Sequence, residues 1–502
     1  MQTDVVVIGG GGSGLAAAIS AASEGAKVVL LEKDVKLGGT TGWSIGTISA
    51  TRTVNQKRAG VVDTPEAHYE DMALFSKKYT TRADNDALRR VMAEHIPETA
   101  DWLCDCGVEF FGPIEEPPHR QPRMHNALPG ARAYIYHLQR RAEKLGVRII
   151  TGAAASRLIT TSERVTGVAF DAPGTVNQIA YANRGVVIAS GDYSASAEMK
   201  RQFISQVVSD TEAVNRANTG DGQRMALELG AKLINEDIFM GGLRFVPPAK
   251  PAWVTRLPPW RWLMRATNIA LGHGPQAIVR GFVMRFLTTV LVPSVKLFEC
   301  GAILINSKGT RFADESQKLV AELAYQPGAC AYIVFDHALA QQFEQHPNEI
   351  STAPGFAYAY LADYQKNRPD LFHQANTPQA LAAKLGMDPA ALADTIASYN
   401  QTETPTDTAP AIPRRGKRPR LDTGPYYALG PVKNYINFTD GGLVVNESLQ
   451  VLNTQGQPIP GLYAAGSAGQ GGLLLKGHGH HLIWAFTSGR LAGRHASRQN
   501  AI

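Results

Sequence analysis

The sequence predicts an α/β fold built on a parallel sheet, and three stretches carry that prediction. Asp4 leads into the apolar run Val5-Val6-Val7-Ile8, followed by glycines, an Ala-rich helical stretch over 15–25 and a second strand over 27–33. Residues 184–191 carry the apolar run Val186-Val187-Ile188 after Arg184-Gly185 and end on the small residues Ala189, Ser190 and Gly191. Residues 459–467 repeat the pattern near the carboxyl end, closing on Ala464, Ala465, Gly466 and Ser467. Short apolar runs bounded by glycine and alternating with helical stretches read as strands buried on both faces.

The first turn has its own chemistry. Gly9, Gly11 and Gly14 fit G-x-G-x-x-G, with Gly12 and Ser13 inside the turn, and Glu32 lies 18 residues past Gly14. In such a turn the first glycine bends the chain, the second admits a pyrophosphate and the third lets helix pack on strand. The helix N-terminus then offers N–H groups and partial positive charge to phosphate. Glu32 is placed to accept the hydroxyls of an adenosine ribose, with Lys33 beside it. A ligand-free β-α turn is the plain alternative, but strand, helix and terminal acid together are the context a dinucleotide site requires. The next loop continues the theme: Gly38, Gly39, Thr40, Thr41, Gly42 and Gly46 lie in it, and five hydroxyl residues fall between Thr40 and Ser49. Ala154, Ser190, Gly191, Gly466, Ser467 and Leu482 complete the expected cofactor-binding set.

At 502 residues the chain exceeds a single core, so two or three domains are expected. Its 44% hydrophobic and 19% charged content is that of a globular protein rather than a disordered one. The net charge of +6 is local in origin: between Ile238 and Phe298 there is no Asp or Glu, while eight Lys and Arg residues occur there. Its neighbours are apolar and aromatic rather than Lys/Arg-dense, which argues against nucleic acid. Trp253, Trp260 and Trp262, with stretches such as Ile278 to Leu287 interrupted by single arginines, have the composition of an interfacial helix. A membrane surface or a second subunit through about 250–297 is therefore expected as an alternative to plain structural packing. The four cysteines show no metal spacing, so no metal is expected. The uncharged run between Arg285 and Lys296 is ten residues, too short to span a bilayer. The first strand opens the chain with no signal segment, so a cytoplasmic location is expected, or a peripheral one at the inner membrane face.

Between these landmarks, 64–107 reads as helical, 131–145 as a helix carrying Tyr134 and Tyr136, and 157–170 as a hairpin. Residues 301–306 and 330–335 read as strands, 377–401 as helical with caps at Thr377 and Asp388, and 402–423 as a surface loop. Residues 469–481 form a glycine/histidine loop ahead of a helix over 482–495, holding Lys476, His478, His480 and His481.

Taken together, the amino-terminal turn, the Gly38-Gly39-Thr40-Thr41 loop, the strand to Gly191, Asn306…Gly309-x-Arg311-Phe312-x-x-Glu315 and the Gly441-Gly442-Leu443…Ala464-Ala465-Gly466 string resemble the fumarate reductase / 3-ketosteroid dehydrogenase group of FAD enzymes. The resemblance implies a Rossmann-like FAD-binding domain built from both chain ends, over 1–242 and 438–502, with an inserted α+β cap over 243–437 that includes a basic, apolar insertion at about 246–297. It also implies non-covalent FAD, since 36–49 contains no histidine. The dicarboxylate clamp of fumarate reductases is not matched: no histidine lies at Gly241-Gly242, Asn437-Phe438 stand before Thr439, Lys476 stands in the clamp-arginine loop, and Leu339-Ala340 fall where the donor arginine is expected. Glu315 resembles a proton-relay glutamate of that group. Nor does the loop after Gly466 contain the tyrosine of the ketosteroid dehydrogenases.

The expected activity is therefore an FAD-dependent oxidation of a CH–CH bond next to a carbonyl, in a cyclic ketone or ketosteroid-like substrate. Lys476, His478, His480 and His481 would steady enolate charge. Tyr325, Tyr332, Tyr134 and Tyr136 are the candidate bases. A small apolar carbonyl compound is the expected substrate and a quinone the expected acceptor. An ene-reductase of a non-dicarboxylate substrate, a flavin oxidase or monooxygenase, and a non-catalytic lipid- or partner-binding flavoprotein are the alternatives.

Overall fold

The structure, a computed structural model, describes residues 1–77, 82, 84–249, 257–273, 284, 288, 292–315, 319–353, 357–401, 412 and 418–500. Strand β1 (Gln2–Ile8) leads through helix α1 (Gly12–Ser23) to β2 (Val28–Glu32), and Val5, Val6 and Val7 are fully buried. Burial on both faces is why these strands read as unbroken apolar runs. Helices α2 (Pro65–Ser76), α3 (Asp86–Cys106) and α4 (Arg132–Lys144) follow. Then come β3 (Arg148–Thr151), the hairpin of β4 (Ala154–Thr161) and β5 (Arg164–Ala172), and the long β6 (Thr175–Ile188). The stretch read as helical over 64–107 is thus two helices; Asn85 caps the second by accepting from Leu88 N.

A second, antiparallel sheet uses β7 (Phe239–Phe245), β8 (Ile303–Asn306), β9 (Cys330–Phe335), β10 (Phe372–Ala375) and β11 (Tyr426–Thr439), with helix α5 (Arg261–His273) between β7 and β8. Its spatial order is β7-β11-β9-β8, and β10 also pairs with β11. Leu304 and Ile333 enter one apolar cluster while Ile303, Ile305 and Val334 enter another, the two-residue alternation of a sheet covered on both faces. The sequence reading missed β11. Gly430-Pro431 at its centre looks like a turn, yet Val432 pairs with both Phe245 and Ala331. Both expected domain limits, 242/243 and 437/438, fall inside the paired strands β7 and β11.

The chain then returns to the first sheet through β12 (Gln450–Leu452), β13 (Pro458–Ala464) and helix α6 (His480–Ser497). The first sheet has eight strands, ordered β12-β13-β6-β1-β2-β3, with β5 joining β6 to β4. Val186 of β6 is opposite both Val6 and Leu462, so strands from the two ends of the chain run parallel side by side. Their carboxyl ends, at Ile8, Glu32, Ile188 and Ala464, reach the same edge, where ligands of such sheets bind. Helix α6 lies on α1 at backbone distance: a Cβ at Gly493 would stand 2.1 Å from Ala17 O.

Among the described residues no helix is long and apolar enough to cross a membrane. The stretch 278–287 lies almost wholly outside the described residues, as does most of 402–417.

The helix crossing gives a direct test. Gly493→Ala should lower stability by roughly 1–3 kcal/mol, the cost of overpacking. Gly272→Ala in α5, where an added Cβ meets nothing within 4 Å, should be neutral or stabilising. Urea unfolding of both variants checks the contrast.

Candidate functional site

The turn after β1 opens onto a cleft at the carboxyl edge of the first sheet, lined by Gly9, Gly11, Glu32 and Thr41. Gly9 has φ 105°, and a Cβ on Gly14 would stand 1.8 Å from Gly9 O, so strand, turn and helix can meet only without side chains there. Helix α1 has Gly11 at its N-cap, so no side chain caps it, and no acid lies in its first turn, which leaves its N-terminal field open to an anion. Gly12 N donates to Thr41 Oγ1 at 3.1 Å, tying the turn to the next loop.

Glu32 closes one end of the cleft. Its Oε2 accepts from Gly10 N at 2.6 Å and its Oε1 from Asp34 N at 2.8 Å. Burial pushes its carboxyl up, against those two N–H groups. Each oxygen keeps acceptor capacity for a hydroxyl. Lys33 reaches Asp221 at 2.7 Å and Thr219 at 2.5 Å.

Of the expected cofactor residues, Gly9, Gly11, Gly12, Ser13, Glu32 and Lys33 line the cleft. Gly39, Thr40, Thr41, Ser190, Gly191 and Ser467 line it from other elements. Ser190 Oγ is buried and has no hydrogen-bond partner, an orphan that a bound ligand would satisfy. The acid at a strand end, the open helix terminus and the orphan hydroxyl fit the ribose, pyrophosphate and amide groups of FAD.

The remaining expected residues do not line it. Gly38 precedes the short helix Gly39–Trp43 and donates its N–H to Gly10 O, Gly42 N bonds Gly38 O, and Gly46 O accepts from Tyr134 Oη at 2.8 Å. Gly466 N donates to Ser488 Oγ at 2.9 Å, and Leu482 packs on the main core. Ala154 is a correction: it is exposed, while Ala153 and Ala155 line the cleft, because strand alternation turns the intervening residue outward. The sequence reading missed Asn215 and Asn218, whose side-chain amides both donate to Thr40 Oγ1. They are lone polar residues in an irregular stretch and carry no local pattern.

The glycine/histidine loop divides into three environments. Lys476 Nζ forms a buried ion pair with Asp440, which also accepts from Gln470 Nε2 at 3.1 Å. His481 stands beside that pair, its Nε2 3.7 Å from Asp440 Oδ1, and its ring lies 4.0 Å from that of Phe438. Burial drives the imidazole down to about 4, with Asp440 opposing and Lys476 reinforcing the shift. His478 is half-exposed and bonds Glu116 at 2.7 Å, which raises its pKa.

His480 turns inward. Its Nε2 is 3.3 Å from His119 Nε2, and Ser49 Oγ bridges His119 and His68 at 3.2 and 3.3 Å. Burial holds all three rings well down, so they are neutral near pH 7. Their ring nitrogens lie within 4.8 Å of one another, close enough for one metal ion. The tautomers oppose it: Arg123 donates to His119 Nδ1 and Gly477 N to His480 Nδ1, whereas metal-bound histidines donate through that second nitrogen. The cluster instead anchors the start of α6, with Arg123 itself held by Asp63 and Asp71.

Four further expected residues lie in other surroundings. Glu315 is buried between Arg311, at 2.9 and 2.7 Å, and Arg418 at 3.4 Å, an ion-pair knot within the second sheet's region. Tyr325 is 72% exposed, too open for a substrate base. Tyr134 is committed to Gly46 O and raised well above its ordinary pKa by burial. Tyr136 lies with Trp260 and Trp262 in a separate surface depression, under the Arg140 guanidinium.

Comparison with known proteins follows this geometry. Residues 4–474 match the family described as FAD binding domain. The NADH:fumarate oxidoreductase of Klebsiella pneumoniae (strain 342) is 27% identical over 511 residues, covering 99% of this chain and 48% of that protein. The vinyl phenol reductase of Lactiplantibacillus plantarum is 28% identical, covering 99% and 96%. The chain thus spans about half the length of the first relative and nearly all of the second. Among solved structures, the open form of a flavocytochrome c3 fumarate reductase superposes with a TM-score of 0.72 at 24% identity, covering 99% of this chain and 78% of that one. The 3-ketosteroid-Δ4-(5α)-dehydrogenase of Rhodococcus jostii RHA1 gives 0.60 at 24%, covering 99% and 97%.

The Lys476–Asp440 pair is testable without substrate. Asp440→Asn removes the carboxylate from a buried ion pair and should cost about 3–5 kcal/mol. Adding Lys476→Met should recover most of that loss in denaturant titrations.

Proposed function

Because the chain belongs to the FAD binding domain family, in its fumarate reductase / 3-ketosteroid dehydrogenase group, we propose that it acts on the carbon–carbon bond next to the carbonyl of a cyclic ketone. FAD is its cofactor and it is an FAD-dependent oxidoreductase. The observation that carries the substrate reading is the state of the loop cation. Lys476, where a dicarboxylate clamp would need a free positive charge, is buried and neutralised by Asp440. Phe438 and a neutral His481 face each other beside it. An apolar wall with a neutral imidazole suits one carbonyl on a ring better than two carboxylates.

Bound FAD supplies hydride acceptance or donation at the reacting carbon. The chain's own groups manage the proton and the carbonyl. Helix α6 follows Gly479 with no capping side chain; His480 N donates to Gly477 O, and the N–H groups of the next two residues would meet developing oxyanion charge. His481, neutral near pH 7, exchanges the proton α to the carbonyl from its place 3.7 Å from Asp440. His480 positions the helix start through His119, and His478 fixes the loop to Glu116. The oxidising direction is the primary reading. Reduction of the matching enone is the second, favoured by the reductase names of the relatives, and microscopic reversibility assigns the same residues to both.

We place the FAD-binding parts at 1–242 and 438–502 and the cap at 243–437, hinged by the β7–β11 pair. The flavin is held non-covalently, and electrons exchange with an external carrier such as a quinone.

Anaerobic mixing tests the substrate class. A saturated cyclic ketone should bleach the oxidised holoenzyme, or its enone should recolour the reduced one, and fumarate should do neither. Equal recolouring by fumarate would overturn the reading. His481→Gln should slow the productive reaction by about 100-fold or more, whereas His478→Gln should not. Because the folded pKa of His481 is depressed to about 4, the proton-accepting form is present throughout the neutral range. The ketone-driven rate should be lost as pH falls through that value.

A further inference from the structure

Helix α5 turns its apolar residues the wrong way for a helix that only packs on its own protein. Met264 is buried, yet Trp262 is 66% exposed and Ile269, seven residues on and so on the same face, is 65% exposed. Ala266 lies between them and is exposed as well. Trp260, at 47% exposure, stacks on Trp262 with ring centroids 6.0 Å apart. Exposed tryptophans clustered with an aliphatic residue mark an interaction surface rather than scattered surface residues.

The charge around this stripe has one sign in excess. Arg261 and Arg265 both bond Glu109 Oε1, at 3.0 and 2.8 Å, so two guanidinium groups share one carboxylate. Arg140 adds a third cation at the depression shared by Tyr136, Trp260 and Trp262. No acid occurs anywhere in the sequence between Ile238 and Phe298. Aromatic rings with a polar edge sit at the depth of lipid headgroups, and arginines beside them extend toward lipid phosphate.

We propose that α5 docks this protein on an anionic lipid bilayer, with Trp260, Trp262 and Ile269 entering the headgroup boundary and Arg140, Arg261 and Arg265 meeting phosphate. The helix lies in the plane of the surface, since it is far too short to cross it. The proposal stands apart from the substrate reading, because none of these residues lines the cofactor cleft.

Co-sedimentation of the flavin-loaded protein with vesicles tests it. Vesicles of phosphatidylcholine with phosphatidylglycerol should pellet the protein, vesicles of phosphatidylcholine alone should pellet far less, and raised salt should weaken the anionic case. The Trp262→Ser/Ile269→Ser variant should bind anionic vesicles about tenfold or more weakly, with an unchanged visible spectrum and unfolding midpoint. Arg140→Glu should weaken binding through charge alone and serves if the double variant folds poorly. Failure of the wild type to pellet, equal pelleting by the variants, or concentration-dependent self-association abolished by Trp262→Ser in place of lipid binding would each overturn the proposal, the last in favour of a second copy of the chain.

Discussion

Three backbones converge at one point, and the rest of the molecule depends on that approach. The turn after β1, the end of β6 and helix α6 can come together only because no side chain stands between them: Cβ atoms at Gly9 and Gly489 would fall 2.4 Å from Ala189 O and 2.3 Å from Ser13 O. That convergence brings strands from opposite ends of the chain into one parallel sheet. It also puts the open terminus of α1, the acid of β2 and the small residues after β6 and β13 around a single cleft. The cleft's chemistry is thus a consequence of steric permission granted in a few positions.

The same geometry sets the character of the proposed reaction site beside the cleft. Residues after β13 lead directly into the loop that carries Lys476, and the end of β11 presents Phe438 and Asp440 to it. Strands β7 and β11 pair with each other across both expected domain limits. Pairing Lys476 with Asp440 removes a free cation from that side, and burial keeps His481 neutral. The uncharged ketone proposed above follows from that polarity, since desolvating two carboxylates without paired cations is expensive.

What could be read from sequence was what local patterning controls. The glycine turn, Glu32, the hydroxyl-rich loop and the returning strand at 459–464 were legible because each is a short string with a fixed physical job. Ala154 was misplaced by one position, since the pattern identifies a strand near the cleft without giving the phase of its pleat. Strand β11 was hidden by Gly430-Pro431, a turn signal overridden by pairing on both sides. Asn215, Asn218, His68 and His119 were illegible for another reason: each is unremarkable alone, and only tertiary convergence gives Thr40 two amide donors and His480 a buried partner. The three loop histidines looked equivalent in sequence, and the structure separates them by what each one meets: Glu116, His119 or Asp440.

The central claim is that one FAD occupies the cleft between the amino-terminal turn and the returning carboxyl-terminal strand. Titration of flavin-free protein with FAD, followed by quenching of flavin fluorescence, tests it most directly. The account predicts saturation at one FAD per chain for the wild type and binding weaker by about tenfold or more for Glu32→Gln, the loss of a charge-assisted hydrogen bond. A folded wild type that takes up no FAD, or a Glu32→Gln variant that binds as tightly as the parent, would contradict it.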